Sequence, residues 1–184
     1  PKGKAVISTQ KSSSPEGSCD DDTTTLFIKE HQDRPHLKGI LRTYRRLREA
    51  GFSVPEVTWG CEQGGKNFLV MTDLSENGTK PVWTFSCGSQ EGKSRDTLIQ
   101  MNPDIDFLEQ YLRKLADCLT NAHFSIDFDH IALVGQRNQM KVYLIDIDAN
   151  NYRPQEKLES LAHMNNNAVF LFIRAIKEVF AINQ

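Results

Sequence analysis

The sequence predicts an α+β chain. Short apolar runs bounded by polar turns fill its first part, amphipathic helices follow, and one hairpin stretch interrupts them, AHFSIDFDHIALVGQRNQMKVYLIDID from Ala122 to Asp148. At 184 residues, 39% of them hydrophobic, the chain fits one domain or two small lobes sharing a cleft, with enough apolar material for a core. A net charge of -2 gives no broad pull toward nucleic acid or anionic membrane. Cys19, Cys61, Cys87 and Cys118 are scattered without a Cys-x-x-Cys pair, which argues against a zinc cluster and against a disulfide framework. No apolar run approaches the about 18 residues needed to span a bilayer, and no charged-then-apolar leader opens the chain. A cytoplasmic protein without a transmembrane segment or a nucleic-acid partner is expected. No internal repeat is visible.

Each element follows from local pattern. Ala5-Val6-Ile7 is a short apolar piece, and KSSSPEGSCDDDTTT after it reads as a long turn or loop. Leu26-Phe27-Ile28 is a strand candidate ending on Lys29. From Leu37 to Ala50 the apolar residues Leu37, Ile40, Leu41, Tyr44 and Leu47 follow a helical period, and Gly51 is a natural stop. Arg42, Arg45, Arg46 and Arg48 cover the rest of that helix as a solvated basic face. Pro55 keeps Val54 extended. Val57–Gly60 and Phe68–Met71 are strand candidates separated by a Gly64-Gly65 turn. Residues 75–104 are polar with Gly and Pro, the character of a functional loop or lid. Ile105 to Ala122 is an amphipathic helix with Asp104 as its cap. Hairpin strands are expected at Ile131–Val134 and Lys141–Ile145, around the turn GQRNQ. A polar segment follows Pro154, and a strongly apolar helix runs from about Asn167 to Ala181.

The hairpin carries the chemistry. Asp127, Asp129 and His130 stand just before its first strand, and Asp146 and Asp148 close its second. Clustered carboxylate oxygens suit a hard divalent cation, and magnesium in particular takes one or two carboxylates together with phosphate oxygens. Histidine is a poorer ligand for that ion. Asp146 is therefore the leading metal candidate, with His130 as a second ligand or an orienting group. Asp146 also ends the apolar run VYLI, where a buried charge is costly without a partner.

Laid end to end, the elements are strand–Lys, amphipathic helix, Gly-x-x-Val-Pro, strand, strand–linker, helix, polar loop, hairpin and Asp. This order resembles the protein-kinase-like fold, and most of all the bacterial lipopolysaccharide-kinase group of Kdo kinases, heptose kinases and InaA-like proteins. Leu26-Phe-Ile-Lys29 looks like the strand with the ATP-phosphate lysine, and Leu47-Arg-Glu-Ala-Gly-Phe-Ser-Val-Pro55 like the end of the helix after it. Phe68-Leu-Val-Met-Thr-Asp-Leu74 looks like the strand and hinge joining the lobes. His123 to Val134 looks like the catalytic loop and Leu144-Ile-Asp-Ile-Asp148 like the metal-binding Asp motif. The resemblance covers residues 20–180 and implies a small two-lobed protein. Residues 1–72 would form a lobe of antiparallel sheet plus one helix (37–50). Residues 73–184 would form a mainly helical lobe with polar loop 75–104, helix 105–122, hairpin 131–145 and helix 167–181. It implies ATP and Mg2+ as cofactors, with Lys29 on the phosphates and Met71, Thr72 and Leu74 on the nucleotide side. Phosphoryl transfer to a hydroxyl, on a sugar such as that of the lipopolysaccharide core, is the implied activity.

The chain departs from that pattern. SSSPEGSCDDD replaces a glycine-rich loop, and the helix position of the lysine's glutamate partner falls near Ile40 or Arg42. Two registers of the catalytic loop remain open. With His123 as the loop histidine, the base position is Ser125 and the asparagine position is His130. With Ala122-His-Phe124 in place of Ala-Gly-Phe, the loop is shortened and Asp127 or Asp129 is the base. Two other classes of function therefore stay in view: an inactive pseudokinase that binds a protein partner, and a metal-dependent hydrolase that works without ATP.

Overall fold

A computed structural model describes residues 3–6, 25–31, 34–61, 67–76, 78–85 and 91–181. Among them the chain is α+β, with four α-helices and two small antiparallel sheets. The first sheet holds β1 (Gly3–Val6), β2 (Thr25–His31), β3 (Val57–Cys61) and β4 (Asn67–Thr72) in the order β1-β2-β4-β3. The second holds β5 (Val82–Thr84), β6 (Ile131–Val134) and β7 (Lys141–Leu144) in chain order. The serine- and aspartate-rich segment of residues 11–24 and the Gly64-Gly65 turn lie outside the described residues.

Helix α1 (Arg34–Glu49) lies against the first sheet because Leu37, Ile40, Tyr44 and Leu47 form one buried stripe. It ends as expected. Gly51 takes φ +86°, Phe52 N–H donates to the Leu47 carbonyl, and Gly51 N–H donates to that of Arg48. These two bonds satisfy carbonyls that the last turn would otherwise leave open. The far side of α1 meets a 3-10 turn at Ala149–Asn151. There Gly39 passes so close to Ala149 that a Cβ on Gly39 would sit 2.8 Å from the alanine methyl.

Helix α3 (Ile105–Asn121) starts where Asp104 caps it, its carboxylate accepting the Phe107 N–H at 3.0 Å. It packs along helix α4 (Leu158–Ala181), and Lys177 reaches across to Glu109 at 2.7 Å on the exposed rim. Helix α4 begins nine residues before the expected Asn167 start. Its apolar period runs back through Val169 and Ala168 to Leu161, with Asn165 taking a fully buried position between them. A buried amide hides the period from a purely apolar reading.

Residues 75–104 are not one long loop. They contain β5 and helix α2 (Glu91–Met101). A few apolar side chains in a polar stretch are enough: Trp83 is buried edge-on against Phe172 of α4 with ring centroids 5.2 Å apart, and Leu98 and Met101 are wholly buried. Trp83 is thus a core residue. Among the described residues no helix is long and apolar enough to cross a membrane.

Phe172→Ala removes the ring that carries Trp83 and leaves a cavity where nothing is exposed. It should cost about 3–5 kcal/mol in urea unfolding; a loss below about 1 kcal/mol would mean that β5 is not held by this contact.

Candidate functional site

Between α3 and the short 3-10 turn before β6 the chain makes neither helix nor strand, so its backbone needs other partners. Two buried asparagines supply them. Asn165 of α4 accepts the Ile126 N–H at 3.0 Å and donates to the Phe124 carbonyl at 2.9 Å and the Thr120 hydroxyl at 3.0 Å. Asn151 donates to the Ser125 carbonyl at 2.7 Å, and its own carbonyl accepts the Ser125 N–H at 2.8 Å. His123 opens this loop in the left-handed region, at φ 60°. The Ser125 base position of one register therefore sits inside a polar core node, whereas the His123 side chain is half-buried and its Nδ1 makes no hydrogen bond to the described residues. Ser125 itself is buried.

The loop delivers a 3-10 turn at Phe128–His130. Asp127 and Asp129 are exposed there, and with His130 they place one ligand atom each within 4.8 Å of one another. One ring nitrogen of His130 makes a hydrogen bond and the other only faces a carboxylate. Nδ1 accepts the Asp127 N–H at 3.0 Å, and Nε2 faces an Asp129 carboxylate oxygen at 4.0 Å. A neutral ring that accepts at Nδ1 carries its proton on Nε2. His130 thus supports the turn through the Asp127 backbone, and the carboxylate oxygens of Asp127 and Asp129 are the atoms of the cluster of the kind that a hard cation takes.

Asp146 follows β7 and is exposed at φ 52°, a left-handed conformation that costs an ordinary L-residue roughly 1–2 kcal/mol. Both of its neighbours are tied. Ile145 N–H donates to the His130 carbonyl at 2.9 Å, and Ile147 N–H donates to the Tyr44 hydroxyl of α1 at 3.2 Å. Ile147 is buried, and Asp148 pairs with His36 of α1 at 3.3 Å. Burial pushes the Tyr44 pKa well above its usual value; the Ile147 bond partly offsets this, and the nearby Asp146 charge adds to it. The hydroxyl therefore stays neutral.

A cavity of about 30 Å³ is lined by Ile40 and Tyr44 of α1, Leu69 and Met71 of β4, and Asp146, Ile147 and Asp148. Lys29 lies on β2 directly opposite Leu69 in the ladder, and its side chain is outside the described residues. Met71 thus faces the same cavity as Asp146. Thr72 and Leu74 do not line it. They border a larger cleft of about 730 Å³, shared with Glu56, Lys80, Gln139 and Tyr143; Thr72 alternates with Met71 at the end of β4, and Leu74 lies in the turn beyond it. Asp146 also stands apart from the Asp127–Asp129–His130 cluster, the one such group of three among the described residues.

The sequence reading missed Asn165, Asn151 and Tyr44. Asn165 had a signal, a polar residue at a core position of the α4 period. Tyr44 had one too, a hydroxyl in the apolar stripe of α1. No matching family model, curated protein or solved structure was found for this chain.

Asn165→Leu keeps the branched shape and strands the Ile126 N–H and the Phe124 carbonyl in the core. It should lower the unfolding free energy by at least about 2 kcal/mol. Amide exchange should quicken at Ile126 before it does in α3.

Proposed function

We propose that the chain is a protein-kinase-like module that binds ATP with magnesium and transfers the terminal phosphoryl group to a hydroxyl. One observation carries the reading. The cavity beside Asp146 is walled jointly by α1, β4 and the segment after β7, and Lys29 holds the ladder position opposite its wall residue Leu69. Opposite positions of an antiparallel pair share a face, so the reading assigns the Lys29 ammonium and the Asp146 carboxylate to one gap. The order of elements supports it in part: strand with lysine, helix, strand pair, then β5 and α2 in place of a plain linker, helix α3, loop, hairpin, aspartate.

The cavity has room for an ion and its water, not for a nucleotide. The phosphate end alone would reach Asp146, where magnesium would neutralise its charge and Lys29 would hold the oxygens. Asp129 or Asp127, exposed at the mouth of the loop, would take the acceptor proton as the new O–P bond forms and the bond to the ADP oxygen breaks. The lipopolysaccharide core sugar is proposed as acceptor from the resemblance alone.

Two observations favour a second reading, an inactive pseudokinase that binds nucleotide or a protein partner. Ile40 presents an apolar wall where kinase chemistry wants a carboxylate for the lysine, and Ser125 at the base position of one register is buried.

Thermal shift with ATP and magnesium, set against magnesium alone, separates the readings. Stabilisation that needs both, with phosphate transferred to a sugar hydroxyl, supports the kinase. The same stabilisation without turnover identifies the pseudokinase. Stabilisation by metal alone points to a hydrolase built on Asp127 and Asp129. No response to either overturns nucleotide binding. Asp146→Asn should abolish the magnesium-dependent part of nucleotide binding, and Lys29→Ala should weaken ATP binding by roughly ten-fold or more.

A further inference from the structure

Asp146 holds an unfavourable backbone conformation at an exposed position. Such a conformation persists only where its surroundings over-determine it. Two hydrogen bonds bracket the residue, and they come from different parts of the chain. The first, Ile145 N–H to the His130 carbonyl, belongs to the hairpin that carries Asp146. The second, Ile147 N–H to the Tyr44 hydroxyl, comes from α1, 103 residues away in sequence. Tyr44 is 2% exposed, and its hydroxyl donates in turn toward the Met71 sulfur of β4 at 3.9 Å. One hydroxyl therefore joins the helix, the first sheet and the peptide just after Asp146, on the wall of the cavity that Asp146 borders.

The other contacts of α1 near this point differ in kind. Ile40 and Leu37 are apolar, and the His36–Asp148 pair is half exposed to water. Tyr44 alone combines a buried polar atom with a main-chain partner next to Asp146. Losing its oxygen would strand the Ile147 N–H in a buried setting, where an unmade hydrogen bond is expensive. Losing the ring would open the core instead. The two roles are chemically separable, because phenylalanine keeps the second and removes the first.

We propose that Tyr44 is a positioning residue: its hydroxyl, through the Ile147 N–H, fixes the direction of the Asp146 carboxylate and so couples the placement of α1 to metal binding at Asp146. This deepens the reading of Asp146 as the metal carboxylate and rests on it. Where a kinase ties its helix to the site by an ion pair, this chain has an isoleucine at the cavity wall and a tyrosine one turn further on. A shift of α1 that breaks the bond would release Asp146 toward an ordinary backbone conformation and weaken magnesium binding without unfolding the helix.

The test is Tyr44→Phe in the full chain, beside Leu47→Val as a variant that loosens the α1 core without touching this link. Two quantities are read: amide hydrogen exchange at Ile147, and the magnesium concentration that half-saturates ATP binding. Tyr44→Phe should speed exchange at Ile147 by about ten-fold while exchange across α1 changes little, and raise the magnesium midpoint by a similar factor. ATP binding without magnesium should be unaffected. Leu47→Val should lower the melting temperature and leave both quantities where they were. Unchanged Ile147 protection in Tyr44→Phe overturns the link. So does an unchanged magnesium midpoint in a variant whose Ile147 has lost protection. If the unsubstituted protein binds no magnesium–ATP, the nucleotide reading fails on its own. The exchange arm then still decides whether Tyr44 holds the peptide after Asp146.

Discussion

One side-chain amide in the interior of α4 sets the terms for the rest of this molecule. Asn165 has no exposed surface, and it spends its carbonyl and its amide protons on the backbone and hydroxyl groups of the chain leaving α3. A loop that passes through a core has no water to satisfy its peptide groups, so a fixed partner must do it. Asn165 serves from below, and Asn151 serves from the side by pairing with both backbone groups of Ser125. The path from Phe124 to Ile126 is thereby fixed, and so is the direction in which β6 begins.

From that anchor, order passes outward by short steps. The loop sets the 3-10 turn that exposes Asp127 and Asp129, and His130 locks the turn by accepting the Asp127 N–H. The His130 carbonyl takes the Ile145 N–H at the end of β7. On the far side of Asp146, Tyr44 takes the Ile147 N–H, so the last step arrives from α1. The exposed carboxylates thus stand on a frame tied by hydrogen bonds from Asn165, Asn151, His130 and Tyr44, which is how a flexible-looking segment acquires a definite geometry.

Most of the frame was readable from residue pattern. The apolar period of α1, its glycine stop, the Asp104 cap of α3 and both hairpin strands emerged within three residues, because local physics decides them. What stayed hidden depended on tertiary neighbours. Trp83, Leu98 and Met101 are too sparse in a polar stretch to announce β5 and α2, and they matter only because α4 is there to receive them. The first turns of α4 hid behind polar residues for the same reason, since Asn165 counts as a core residue only when the loop it binds is known. At the site, Asp146 and Met71 come together, whereas Thr72 and Leu74 face another cleft. Thr72 alternates with Met71 at the end of β4 and Leu74 lies in the turn beyond it, and that divides a run which the sequence presents as one unit.

The loop after α1 has a further effect through the second sheet. Its Ser53 carbonyl accepts the Leu144 N–H at 2.9 Å, on the outer side of β7. The same strand begins with an exposed lysine, Lys141, and the opposite margin of the sheet is β5, only three residues long. Unsatisfied strand margins are where separate chains add to one another and precipitate, and brevity, charge and a covering loop are the usual deterrents. A sheet this small would otherwise be an inviting template. Its flanks leave little for a neighbouring molecule to extend, which favours chains that stay apart when crowded.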